Sequence, residues 1–240
     1  MPYSVMVKMI ALSQIFFALS NPTPAATTKT EFSDPNLLYR VVTEQPVIAF
    51  TFDDGPDPTF TPKILKELAK NHAKATFFVI GRKVARYPDI VKTEVSLGNE
   101  VGNHSFSHDL HMTHSSAIQQ LTQTQEQVYH ATGLYPKFFR PPMGLITPPI
   151  RLAAKHSHLR IIMWAWDQDT CDWNGRKASD ITKQVLQHIH PGDIVLFHDG
   201  AANQSNTVAA LQTLLPALEK RHFRMVTISE LLQSTSSPNK

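Results

Sequence analysis

The sequence predicts an α/β fold, a distorted (β/α) barrel of about seven units forming a single domain. Three observations carry this. Short apolar runs of strand length alternate with longer stretches of helical periodicity through most of the chain. The 240 residues, 42% apolar and 18% charged, suit one domain with one core. Ionisable residues also follow the ends of several of the apolar runs, as Asp53-Asp54, His104, Arg140, Asp169 and His198 do. A barrel mouth gathers such residues into one site, whereas an open doubly wound sheet concentrates its ligand at one switch point.

The strand-like runs are 47–52, 75–80, 100–103, 138–140, 159–166, 193–197 and 224–227. Their nearly continuous apolar character reads as parallel strands buried on both faces. Helical spacing is found at 62–71, where Ile64, Leu65 and Leu68 share a face, and at 84–97, 116–132, 149–156, 179–188 and 207–221. The catalytic domain is placed at 46–232, with a leader or linker at 21–45 beginning Asn21-Pro22-Thr23-Pro24 and a frayed tail at 233–240.

At the N-terminus, Lys8 precedes the apolar run Met9–Leu19, which ends in a small-x-small pattern at Ala18 and Ser20. That layout reads as a signal peptide over residues 1–20 and predicts export, with no stable membrane insertion after cleavage, because the run is short for a bilayer span. The net charge of +3 is too small to argue for a nucleic-acid partner. Cys171 is the single cysteine, so an intramolecular disulfide and a Cys-rich zinc site are both excluded. Any metal must be held by His and carboxylates.

Two constellations carry chemistry. Asp53 and Asp54 are adjacent carboxylates where a strand runs into Gly55-Pro56. The break lets both reach the rim, one to bind a cation and the other to stay free as a base. Alone, Asp-Asp-Gly-Pro also describes a turn. His104 and His108 are four apart, which on a helix would put both imidazoles on one face. Two His and one Asp leave coordination positions open for water and substrate, which is a catalytic and not a structural metal site. A metal held there would activate water and polarise a carbonyl. No His-Glu-x-x-His occurs, so a metalloprotease is disfavoured.

With these residues in view, the chain resembles the polysaccharide deacetylases related to nodulation-factor chitooligosaccharide deacetylase. The resemblance covers about residues 45–232 and rests on five motifs in order: Thr51–Pro56, His104–His108, Arg140–Gly144, Asp169–Trp173 and Leu196–His198. It implies a divalent metal, usually zinc, on Asp54, His104 and His108. It implies Asp53 as general base oriented by Arg140, and His198 as general acid with Asp169 as its partner. Met143 would lend its backbone N–H to the oxyanion, and Trp173 and Leu196 would line the acetyl pocket. The family commonly has Tyr at the position of Met143, so a ring beside the sugar is lost while the amide N–H is kept.

The activity so implied is removal of N-acetyl groups from an N-acetylglucosamine-type polymer such as peptidoglycan, chitin or poly-N-acetylglucosamine. An O-acetyl esterase acting on a xylan-like polymer would use the same machinery. A carbohydrate-binding pseudoenzyme has no need of Asp53 or His198.

Overall fold

The protein is described here by a computed structural model that covers Asp34 and residues 36–235. The signal-peptide segment 1–20, most of the expected leader, and residues 236–240 of the expected tail lie outside the described residues. Among the described residues no helix is long and apolar enough to cross a membrane.

Eight strands form a curled parallel sheet: β1 (Leu37–Leu38), β2 (Val47–Asp53), β3 (Ala75–Val79), β4 (Glu100–Asn103), β5 (Phe138–Phe139), β6 (Arg160–Ile162), β7 (Ile194–His198) and β8 (Arg224–Met225). Their order is β1-β6-β5-β4-β3-β2-β7, with β8 also paired to β2. Among the described residues eight α-helices accompany them: α1 (Thr61–Lys70), α2 (Gly81–Arg86), α3 (Pro88–Ser96), α4 (His114–Thr132), α5 (Pro148–His156), α6 (Ala178–His188), α7 (Ser205–Lys220) and α8 (Ile228–Gln233). The expected helix at 84–97 is in fact two. Pro88 opens α3 and disfavours helical geometry at Tyr87, whose φ −132° and ψ 54° break the rod.

Side-chain alternation divides β2 between two environments. Ile48, Phe50 and Phe52 face outward into the main core with Ile64, Leu68, Ile181 and Leu211 of the surrounding helices. Phe52 lies between Phe77 and Phe197, ring centroids 5.0 and 5.5 Å away. Val47 and Ala49 face the barrel interior with Phe78, Phe138, Ile162 and Ile194. Higher on the same inward face come Thr51 and Asp53, also buried. The interior is therefore apolar at the N-terminal end of the strands and polar at the C-terminal end. Ile228 and Leu231 of α8 join the apolar layer and plug that end. Thr227 and Glu230 form a capping box that starts α8.

The sheet closes between β6 and β7 without a full strand at the seam. Beyond β6, Ala165 N–H donates to Ile194 O (2.9 Å) and Leu196 N–H to Gln168 O (3.0 Å). At the lower end, β1 pairs with β6, and Arg40 bridges to Asp193. This corrects the expected leader: Leu37–Leu38 form a strand, and Val41 is buried with its N–H on Gly192 O at 2.9 Å. Gly192 has φ +84°, and an added Cβ there would fall 1.8 Å from Val41 O, so the close approach requires glycine. The expected tail is also packed at its start, where buried Ser234 accepts a hydrogen bond from Thr43 Oγ1 at 2.7 Å.

Arg40 Nε donates to Asp193 Oδ1 at 3.0 Å, and the His190 N–H donates to Asp193 Oδ2 at 2.8 Å. Burial raises the Asp193 carboxyl above its ordinary range, against the lowering effect of Arg40. Arg40→Ala should therefore cost about 1–2 kcal/mol in urea unfolding near neutral pH, because a desolvated carboxylate loses a charged partner. The loss should shrink in acid, as the carboxyl, raised above its ordinary range, takes up a proton. An equal cost at both pH values would contradict this reading of the seam.

Candidate active site

The C-terminal ends of β2, β4, β5 and β7 converge on one cleft of about 330 Å³, lined by Asp53, Asp54, His104, His108, Met143, Trp164, Asp169, Trp173, Leu196 and His198. A larger groove of about 480 Å³ opens at the other end of the strands. Its acids are already engaged: Glu100 accepts from Thr76 and Ser229, and Glu230 from Lys74 and Thr227. Chemistry therefore belongs to the smaller cleft.

Asp53 ends β2 facing inward, where Arg140 Nη1 donates to its Oδ1 at 2.8 Å. Arg140 is fully buried. Its Nη1 also reaches Thr51 Oγ1 (2.8 Å), its Nε Ile162 O (3.0 Å) and its Nη2 Met163 O (2.8 Å). The guanidinium lies over the Phe78 ring, 4.2 Å from its centroid. Burial pulls the Arg140 pKa down, and Asp53 works against that shift.

Asp54, next along, turns away from its neighbour because its φ is 72°. Its Oδ1 sits 3.4 Å from His104 Nε2 and 3.3 Å from His108 Nε2. Burial would raise the Asp54 carboxyl, but His104, with His198 and His108, holds it well below the usual range. The two imidazoles do not share a helix, which corrects the expectation from their spacing. Residues 104–108 are a loop with Ser105 at φ 64° and His108 at φ 60°. The loop is held by Asn103 Oδ1 accepting from Ser105 N–H (2.9 Å) and Gln120 Oε1 accepting from Phe106 N–H (2.8 Å) and Ser107 N–H (2.7 Å).

These residues fit a divalent cation. One ligand atom from each of Asp54, His104 and His108 lies within 4.8 Å of the others. Asp54 Oδ1 is buried and has no hydrogen-bond partner. His104 Nδ1 is 2.7 Å from Arg140 O, which can only accept, so Nδ1 carries the proton and Nε2 keeps its lone pair toward Asp54. Two imidazole nitrogens and one carboxylate oxygen are a donor set for zinc and related ions.

Across the cleft, His198 ends β7. Its partner is Asp172, which corrects the expected pairing with Asp169. Asp172 Oδ1 is 2.8 Å from His198 Nδ1, and Asp172 Oδ2 accepts from His198 N–H (2.9 Å) and Thr207 Oγ1 (2.7 Å). Burial lowers the His198 pKa, but Asp172, with Asp53 and Asp54, overrides it and raises the imidazole to about 9. Asp169 lines the cleft instead. Its Oδ1 accepts from Cys171 N–H at 3.0 Å, and its charge favours the Arg140 cation. Cys171 at φ 51° makes the turn that carries Asp172 back toward β7. Nothing in the spacing distinguishes the two acids of Asp169-Thr170-Cys171-Asp172. Trp164, not singled out from the sequence, also lines the cleft.

Leu196, Trp173 and Trp164 form the apolar wall of the cleft, and Met143 its lip, with φ 54°. Met143 is 68% exposed. The structure thus brings every residue expected at the site to one cleft or, for Arg140, directly beneath it.

The profile of the polysaccharide deacetylase family matches residues 40–162. A peptidoglycan-N-acetylglucosamine deacetylase of Bacillus cereus is 40% identical over 197 residues, 81% of this chain and 92% of that protein. The solved Bc1960 peptidoglycan N-acetylglucosamine deacetylase superposes with a TM-score of 0.78 at 33% identity, covering 85% of this chain and 95% of that one. A family 4 acetyl xylan esterase of Clostridium thermocellum, in complex with a cobalt ion, gives a TM-score of 0.71 at 30% identity over 78% of this chain and 90% of that one. With a parallel barrel whose strand ends hold paired carboxylates, two imidazoles and a buried arginine, this chain belongs to the polysaccharide deacetylase family.

Proposed function

We propose that this polysaccharide deacetylase removes N-acetyl groups from N-acetylglucosamine residues of a cell-wall polymer, with peptidoglycan the first candidate. The carrying observation is the His198–Asp172 pair facing Asp53 across one cleft. An amide nitrogen leaves only when protonated, so an acid separate from the base is required, whereas an ester leaves more readily without one. The raised imidazole and a carboxylate paired with a buried guanidinium give acid and base separate environments.

Asp54, His104 and His108 would hold a divalent ion, zinc by donor type, which when bound supplies charge that polarises the acetyl carbonyl and acidifies water. Asp53 accepts the proton of the attacking water at its carboxylate, and Arg140 keeps that carboxylate oriented. The acetyl methyl rests against Leu196, Trp173 and Trp164, which exclude bulk water. The backbone N–H of Met143 donates to the oxygen on which charge develops. His198 gives its Nε2 proton to the departing amine, while Asp172 on Nδ1 stabilises the imidazolium and fixes the ring. Asp169 acts through Arg140 and the turn at Cys171, not through His198.

The signal-peptide-like sequence of residues 1–20 supports an activity outside the cytosol, where such polymers lie. Metal-loaded protein should release acetate from peptidoglycan and N-acetylglucosamine oligomers faster than from acetylated xylan, as read by mass spectrometry of the glycans. Deacetylation of xylan alone would overturn the amide reading in favour of an esterase.

The acid assignment also fixes a pH dependence. His198 must be protonated to act, so kcat should fall as pH rises through about 9. Asp172→Asn removes the main raising influence, and the alkaline limb should move down toward the ordinary imidazole value of about 6.5. A limb that stays in place in Asp172→Asn would remove His198 as the group that sets it.

A further inference from the structure

Helix α2 touches three of the loops that carry the site, those after β2, β4 and β7. Gly81 N–H donates to Ser105 O and Arg82 N–H to Phe106 O, each at 3.0 Å, so its first turn holds the loop between His104 and His108. Gly81 is pressed against that loop and α4: an added Cβ would fall 2.6 Å from both the Phe106 ring and Thr124 Oγ1. Ile80 N–H, just before the helix, donates to Gly55 O at 2.9 Å.

Lys83 completes the arrangement. Its Nζ donates to Asp54 O and to Gly200 O, both at 2.7 Å. One carbonyl belongs to the loop after β2, the other to the loop after β7 that follows His198. The two loops are in backbone contact, since a Cβ on Gly200 would fall 2.1 Å from Asp54 O. The buried Asp199 carboxylate, bonded by Thr61 Oγ1, faces the same ammonium. Asp54 at φ 72° occupies a region that L-residues leave unless their surroundings hold them there.

We propose that Lys83 is a positioning residue that sets metal affinity by tying the Asp54 carbonyl to Gly200 and so holding the Asp54 carboxylate toward His104 and His108. The inference rests on the reading of those three residues as metal ligands. It predicts a sign opposite to that of simple charge repulsion. Removing a nearby cation should tighten a divalent ion by Coulomb's law. Losing the tie should loosen it.

The test is the Zn²⁺ dissociation constant of the full chain, measured by competition with a chromophoric chelator, alongside the thermal midpoint of the metal-free protein. Lys83→Met keeps the length and apolar stem of the side chain and should bind Zn²⁺ about tenfold or more weakly, the range seen when groups supporting metal ligands are lost. Lys83→Arg keeps charge and donors and should restore most of that loss. Unchanged or tighter binding in a folded Lys83→Met, or a lowered midpoint with unchanged affinity, would overturn the proposal. If Lys83→Met does not fold, Lys83→Gln, which keeps an amide donor and loses the charge, should bind Zn²⁺ more weakly than wild type; wild-type affinity there would equally overturn the proposal. His108→Ala separates the two readings: weakened binding in that variant with Lys83→Met unaffected sinks only the role of Lys83. A wild-type chain that binds no Zn²⁺ sinks both.

Discussion

A guanidinium with no exposed surface lies at the centre of this barrel, and its pairing with Asp53 governs the rest. Burying an arginine is costly unless each donor finds an acceptor. Here Ile162 O, Met163 O, Thr51 Oγ1 and Asp53 Oδ1 take four of the five N–H groups, which fixes the rotation of the group and hence the direction of Asp53. The carbonyl of the same residue accepts from His104 Nδ1. Arg140 thus orients Asp53 through its side chain and His104 through its backbone. Buried ion pairs contribute little net stability, so the value of this one is positional. The apolar layer beneath it, closed by Ile228 and Leu231, keeps water from competing for those donors from below.

The second constraint is backbone conformation. Adjacent strand residues point to opposite faces, and two neighbouring carboxylates could not share one cleft on an extended chain. Asp53 keeps strand geometry and meets Arg140, while Asp54 at φ 72° swings toward the imidazoles. Ser105, His108, Met143 and Cys171 also have positive φ, and each lies at the cleft or within the loops that shape it. Such conformations cost about 1–3 kcal/mol each and persist where surrounding contacts over-determine them. The hydrogen bonds to Gln120, Asn103, Thr207 and Lys83 are contacts of that kind.

Seven strands were legible because most of their residues are buried on both faces, a pattern that survives without knowledge of the partner strands. β1 was not, because two residues carry no period, and its place at the seam depends on β6 and Asp193. α8 is also too short for helical periodicity to show, although the Thr227–Glu230 capping pair was a usable signal. The site residues could be read by type and order, but not their local geometry. The spacing of His104 and His108 suits a helix, yet Ser105 and His108 are left-handed and the segment is a loop. Asp169 and Asp172 are equivalent in one dimension. Only the turn at Cys171 decides that Asp172 reaches His198.

The central claim is that two adjacent aspartates have separate duties, Asp53 moving a proton and Asp54 holding an ion. Paired calorimetric titration of Zn²⁺ into metal-free Asp53→Asn and Asp54→Asn, with acetate release measured on the same samples, tests it most directly. Asp53→Asn should bind the metal as wild type does and lose about a hundredfold or more in kcat. Asp54→Asn should lose most of its metal affinity. Equal loss of binding in both variants, or wild-type turnover in metal-replete Asp53→Asn, would contradict the division of labour.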